Sequence, residues 1–324
     1  MTRNLQHYVQ RFYLEAFVDA ARPTNIWVYD KHTGLIRSQG IRNTAAESLY
    51  YSLENPDGSK NNMLDRQVVD KLENGGVPIL RRWRAEEPPA ILESDLKDMA
   101  WYIALSYVRS PRARKDIQDL MAVGKRLDLL EMAESDMILE EIIKETADPD
   151  VTKEKLREAF LAAQDPNRIT ITLSGNAVVA SPFLMADRIA PPLVLMHWSI
   201  LEAPAGTDFV ACDSPVSVCL FDDDGHALVG VGIGHAGVEI TFPINPRFAL
   251  RLSWDQGKGY RRLTKRATWH INRRMAAQAL RYVYAARRSK RLNTIVRDMA
   301  AREPRRRVTW QGRMVRFETF RVDP

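Results

Sequence analysis

Near the start of the chain a histidine, an arginine and a glutamate recur at a spacing of four: His7, Arg11 and Glu15. On one helix that spacing makes a single polar stripe. An imidazole takes or gives a proton near neutral pH, and a neighbouring guanidinium can hold a phosphate. The pair therefore suits general acid–base work or phosphate binding. The plainer reading is an Arg11–Glu15 ion pair, with His7 packed where the helix meets a sheet. Far along the chain, Asp213-Ser-Pro215 follows the apolar run Phe209-Val-Ala-Cys. An aspartate after a strand, fixed by a proline turn, projects at a sheet edge. Equally, its carboxylate can close an Asx-type turn. His7, Arg11 and Asp213 form the candidate catalytic set, on the condition that the fold brings them together.

Other clusters read more plainly. Phe221-Asp-Asp-Asp-Gly-His226 gathers carboxylates beside a histidine, but it lacks the alternation and closing glutamate of an EF-hand loop. Asp-Gly between two strands is a hairpin turn. The glycines of 229–237, around His235, follow no strand-to-helix crossover, so a bent hairpin or loop fits better than a dinucleotide site. Cys212 and Cys219 have no partner motif for zinc and read as buried free thiols. A Gly-x-Ser-x-Gly elbow, a Walker A loop and a His-Glu-x-x-His helix are absent, which argues against ordinary serine hydrolases, P-loop NTPases and zincins. No residue is assigned to a cofactor or a metal, and the sequence reveals no reaction.

Charge is the strongest remaining signal. The 324 residues carry a formal net charge of +6. From residue 247 onward there are 22 Lys and Arg against 5 Asp and Glu, a net of +17. Residues 1–246 hold 25 basic and 36 acidic side chains, a net of −11. Arg261, Arg262, Lys265, Arg266, Arg273, Arg274, Arg287 and Arg288 are the candidate nucleic-acid contacts, because Arg forks match phosphate and neutralised phosphates release counterions. Trp269, Tyr282 and Tyr284 lie among them as stacking or core residues. The competing reading neutralises this segment within the protein, against the acidic helix around 131–145 of the same chain or of a second copy.

The elements that must position these residues follow from periodicity. Residues 5–18 show apolar positions at three and four, an amphipathic helix. Asn25 to Asp30 and Leu35 to Ser38 flank a Thr-Gly turn and form a hairpin, and Leu49 to Leu53 adds a third strand. Helices then dominate: 62–74, 78–84, 93–110, 112–147 and 152–163. The texture turns to strands at 169–174, 197–203, 208–212, 216–221, 238–242 and 248–253, interrupted by a helix at 183–194. The spacing suggests an antiparallel meander. Helices return at 265–288 and 289–301, with short strands in 307–322. The expected class is α+β in one composite domain. Residues 1–60 give a helix plus hairpin, 61–166 a helical block, 167–255 an antiparallel β region and 256–324 a basic helical tail. With 45% hydrophobic and 27% charged residues, the chain has the balance of a folded protein. No apolar run approaches the roughly 20 residues that span a bilayer. No secretory signal is visible, so a cytoplasmic location without membrane contact is expected.

Several of these segments carry a family resemblance. His7-Tyr-Val-Gln-Arg11-Phe-Tyr13-Leu14 with Phe17 resembles the opening of the bacterial domain of unknown function 4238, roughly His-x-x-Pro-Arg-x-Tyr-Leu-x-x-Phe. Ile26-Trp-Val-Tyr-Asp-Lys31, Arg42-Asn43, Ala46-Glu47 and Tyr50-Tyr51 resemble its next landmarks. Tyr107-Val-Arg-Ser-Pro111, Phe209 to Pro215 and Thr241-Phe-Pro-Ile-Asn-Pro246 resemble later ones. The likeness runs from residue 7 to about 285. Gln10 stands where the family usually has proline, and Ala211-Cys212 where it tends to have hydroxyls. The resemblance implies a fold neighbourhood and a bacterial source, and it brings no activity. Two functions follow from the residues. One is a nucleic-acid-binding or nuclease-like, defence-type effector. The alternative is a protein-interaction or homo-oligomeric module built on the charge split.

Overall fold

The computed structural model describes residues 5–63, 66, 74–146, 148–165, 167–169, 171, 176–221, 227–229, 232–255, 257, 259–301, 308–311, 314–317 and 320–322. The chain divides into two compact units, one of residues 1–114 and 179–324, the other of residues 115–178.

The larger unit opens with β1 (Leu5–His7), followed by α1 (Arg11–Leu14) and a 3-10 turn at Glu15–Phe17. The single helix expected over 5–18 is therefore split. Leu5, Gln6 and His7 pair antiparallel with Ser48, Glu47 and Ala46. Gln10 keeps an extended ψ of 135° before the first helical turn. His7 consequently leaves the stripe, while Arg11 and Glu15 keep their i,i+4 pairing.

The hairpin β2 (Asn25–Asp30) and β3 (Ile36–Gly40) forms as expected, with Gly34 at φ +69° in its turn. The third strand does not fall at 49–53. β4 (Ala46–Ser48) pairs with β1, Leu49 turns the chain at φ 58°, and β5 (Leu53–Glu54) pairs with β6 (Lys60–Asn61). The expected helix over 62–74 lies largely outside the described residues. α2 (Gly76–Ala85) and α3 (Leu96–Val108) follow. Gly76 starts α2. A Cβ there would stand 2.4 Å from Cδ2 of Tyr102 on α3, so the two helices meet at a residue without a side chain.

The helical unit holds most of α4 (Pro111–Glu134), then α5 (Asp136–Thr146) and α6 (Lys153–Ala162). Helix α4 breaks at Ser135, whose hydroxyl accepts from the N–H of Ile138. Thr152 caps α6 by accepting from Lys155 N at 3.3 Å. Two acids of this unit's acidic run are met locally: Asp136 pairs with Arg157 and Glu140 with Lys153. The strand expected over 169–174 lies largely outside the described residues.

α7 (Asn176–Leu195) leads back into the larger unit. There β7 (His197–Glu202), β9 (Ser217–Phe221), β10 (Ala227–Val229), β11 (Val238–Pro243) and β12 (Phe248–Ser253) form a seven-stranded sheet with β13 (Gly259–Arg262) and β17 (Phe320–Val322). β11 lies antiparallel between β12 and β9, and β12 antiparallel to β7, as the meander predicts. β8 (Ala211–Cys212) belongs elsewhere, to a four-stranded sheet of order β3, β2, β14 (Tyr282–Ala285), β8.

β14 (Tyr282–Ala285) is where the sequence expected helix. α8 (Lys265–Gln278) stops because Ala279 turns extended (ψ 131°) and the aromatic and β-branched run Tyr-Val-Tyr pairs with β2. α9 (Lys290–Ala301) and the hairpin of β15 (Val308–Gln311) with β16 (Met314–Phe317) complete the chain.

The helices and both sheets mix α and β without a parallel crossover series, which is α+β. Two buried clusters serve the larger unit. One joins Tyr13, Trp83, Tyr102 and Phe242; the other joins Leu201, Phe209, Ile271 and Met275. Rings of Tyr13 and Phe242 lie 5.0 Å apart, which anchors α1 on the seven-stranded sheet. Among the described residues no helix is long and apolar enough to cross a membrane.

Candidate functional site

α1 is short, so its position is imposed by packing rather than by helix propensity. Tyr13, Leu14 and Phe17 are buried in the core, which turns Arg11 and Glu15 outward. Arg11 is held by Glu15 at 3.6 Å with its side chain 60% exposed. Beside α1 opens a cleft of about 670 Å³. His7, Gln10, Arg11, Phe12, Glu15, Arg81 and Arg109 give it its chemistry.

Each of these groups is placed by a different element. β1 delivers His7, and its carbonyl accepts from Nη2 of Arg109 at 2.8 Å. Arg109 stands just past the end of α3, buried, with its guanidinium 4.8 Å from the ring centre of Tyr51. Tyr51 in turn donates its hydroxyl to the Arg109 carbonyl at 2.8 Å. Arg81, on α2, lies 5.5 Å from the ring centre of Phe12, and Arg84 4.4 Å from the same ring. Arg84 also donates to the carbonyls of Phe12 and Tyr13, which fixes α1 from below. Among the described residues, Arg11, Arg81, Arg109 and His7 thus line one cleft together with the carboxylate-bearing Glu15. That balance favours an anion, and the guanidinium forks favour a phosphate or carboxylate.

His7 and Arg11 both line this cleft, but His7 reaches it from β1 and not from the helix stripe that the sequence suggested. Asp213 is not among the residues that line the cleft. It is buried, and its carboxylate accepts the backbone N–H groups of Leu280, Arg281 and Tyr282 at 2.8, 2.7 and 2.8 Å. Burial pushes its pKa up, against the pull of these three donors. Only Pro215 of that segment approaches the site. It borders a void of about 10 Å³ that Gln10 and Arg109 also line. Arg81, Arg109 and Phe12 escaped the sequence reading. The available signal was Arg109, a charged residue continuing the buried apolar face of α3.

Four of the eight basic candidates are held in ion pairs. Arg274 is buried, 2.6 Å from Glu239 and 3.2 Å from the Cys219 sulfur. Burial works to raise the Glu239 pKa, and the guanidiniums of Arg274 and Arg251 overcome it and hold the carboxyl below its usual range. Arg262 pairs with Glu202 at 2.8 Å, and Arg273 with Asp298 at 2.8 Å. Arg287 grips Asp208 through both ends of its fork. Arg261, Lys265, Arg266 and Arg288 are exposed and make no ion pair among the described residues; Arg288 lies 5.7 Å from the ring centre of Trp27. Cys212 and Cys219 are free and buried. Residues 222–226 lie outside the described residues, but the strands on either side, β9 and β10, pair antiparallel. Among the described residues no group of three or more His, Cys, Asp or Glu could hold a metal ion.

The family model described as "Protein of unknown function (DUF4238)" matches residues 5–289. No curated protein and no solved structure matches the chain.

Proposed function

We propose that this chain, which belongs to the DUF4238 family, is a nucleic-acid-associated protein that holds a phosphate group of its ligand in the cleft between α1, α2 and the end of α3. The observation that carries the reading is the convergence of Arg11, Arg81 and Arg109 with His7 around about 670 Å³. Guanidinium forks supply charge-assisted hydrogen bonds to phosphate oxygens. Phe12, on the wall of the same cleft, offers a ring on which a base can stack. The exposed cations Arg261, Lys265, Arg266 and Arg288 add positive field that draws a polyanion toward the molecule. His7 is the group in the cleft whose type exchanges protons near neutral pH. Cleavage of a phosphodiester, if the protein is nuclease-like, would run through it.

The test is a titration of labelled single-stranded and duplex oligonucleotides by fluorescence anisotropy across a salt series. The expected result is binding that weakens with salt, with a slope reduced by about one in Arg11→Ala and again in Arg81→Ala. Label release lost in His7→Ala, with binding retained, supports the nuclease-like form. Absence of salt-dependent binding near physiological ionic strength overturns the reading.

A further inference from the structure

The seven-stranded sheet ends on β13. Its four residues are all exposed, and among the described residues it pairs on one side only, parallel to β7. The pleat gives its two faces different chemistry. Tyr260 and Arg262 fall opposite Ile200 and Glu202 and both reach the Glu202 carboxylate. On that face a groove of about 620 Å³ lies between the strands, the end of α7 and the segment before α3. Its lining is mainly apolar, and Leu195, Leu92 and Tyr260 are 74%, 47% and 40% exposed. Arg261 falls opposite Leu201, on the face that packs α8. Exposed Lys265 and Arg266 follow on the first turn of α8. Neither they nor Arg261 make an ion pair among the described residues.

We propose that β13 receives an extended segment of a partner protein in which apolar and acidic residues alternate. Strand addition satisfies the free backbone groups of the edge, and alternate side chains of the added strand read its two faces. The apolar ones enter the groove beside Leu195 and Tyr260. The acidic ones meet Arg261, Lys265 and Arg266. A second copy of this chain fits the same edge poorly, because pairing β13 with β13 crowds four arginines, Arg261 and Arg262 of each copy, into one short ribbon.

The full-length protein is titrated with short synthetic peptides, labelled at one end, in which glutamate alternates with leucine or isoleucine. A control peptide has the same composition with its acidic and apolar residues segregated. Saturable binding of the alternating peptide is expected, with the control weaker by about tenfold. Leu195→Asp and Arg261→Glu each weaken binding by about tenfold, and a lysine-alternating peptide restores binding to Arg261→Glu. Both positions are exposed, and unchanged melting curves confirm that both variants fold. Three results overturn the proposal. The first is the absence of saturable binding, or equal binding of the control. The second is displacement of the peptide by a duplex oligonucleotide, which makes the edge a polyanion surface. The third is a concentration-dependent dimer in light scattering that Leu195→Asp abolishes, which seats a second copy there.

Discussion

Arg109 Nη2 and the carbonyl oxygen of His7 lie 2.8 Å apart, although 102 positions separate them in the chain. Through this bond a buried guanidinium at the end of α3 ties down the first strand. The same guanidinium lines the cleft, so it joins the stability of the N-terminus to the charge of the site.

Arg109→Ala removes a buried charged donor and its stacking on Tyr51. We expect a loss of about 2–4 kcal/mol in urea denaturation, because the His7 carbonyl is left without this partner. Arg109→Lys keeps the charge but not the planar fork, and its midpoint falls between the two. A midpoint for Arg109→Ala equal to that of the parent would show that the tie carries no stability.

Asp213 tests the division between binding and folding. Asp213→Asn keeps one acceptor oxygen and turns an NH₂ group toward backbone N–H donors of residues 280–282. The expected cost is about 1–3 kcal/mol, seen as a lower melting temperature. Oligonucleotide affinity measured well below that temperature stays within about twofold of the parent. A variant with parental stability and abolished affinity would return Asp213 to the site.

Acid should unfold the larger unit through its ion pairs. Glu239, Glu202 and Asp30 have folded pKa values below their ordinary ones. Burial opposes each shift, and Arg274 with Arg251, Arg247 with Arg262, and Arg281 respectively outweigh it. A lowered folded pKa gives stability that is present above the unfolded carboxylate value, near pH 4–4.5. That stability is lost as pH falls through the folded value. Melting temperatures should therefore hold from pH 7 to about 5 and fall steeply below about 4. Glu239→Gln should start lower at pH 7 and fall less steeply with acid. An identical slope in the variant would remove Glu239 from the account.

Gly76→Ala probes the contact of α2 with α3. A methyl group 2.4 Å from the Tyr102 ring forces the helices apart. The expected loss is about 2–3 kcal/mol, together with weaker oligonucleotide binding, because Arg81 sits one turn further along α2. Gly76→Ala with Tyr102→Ala relieves the clash and should recover part of the affinity.

Much of this fold was legible because periodicity is a local property. The β2–β3 hairpin, α3, α6 and the strands β7, β9, β11 and β12 follow from spacing and turn residues alone. Two of the misreadings share one physical cause, long-range pairing that outweighs local pattern. Leu5 to His7 can be drawn as a helical turn, and β4 makes it a strand. Tyr282 to Ala285 continues a helical spacing, yet β2 and β8 lie on either side of it. The site was half legible for the same reason. His7 and Arg11 sit close together in sequence, whereas Arg81 and Arg109 come from helices that only packing brings alongside. The charge split was read correctly as arithmetic. Where each cation goes depends on single carboxylates such as Glu239 and Asp208, which carry no mark in the sequence.

The order of the four-stranded sheet has a consequence for how the chain is made. β2 ends at residue 30, and its neighbour β14 begins only at residue 282. During synthesis β2 leaves the ribosome with β3 on one side and an open edge on the other. That edge stays open until about 250 further residues have been made. Such late, distant pairing is slow and exposes strand edges meanwhile. Nascent chains cut short before residue 282 therefore cannot close this sheet, whatever the local order of the hairpin they already carry.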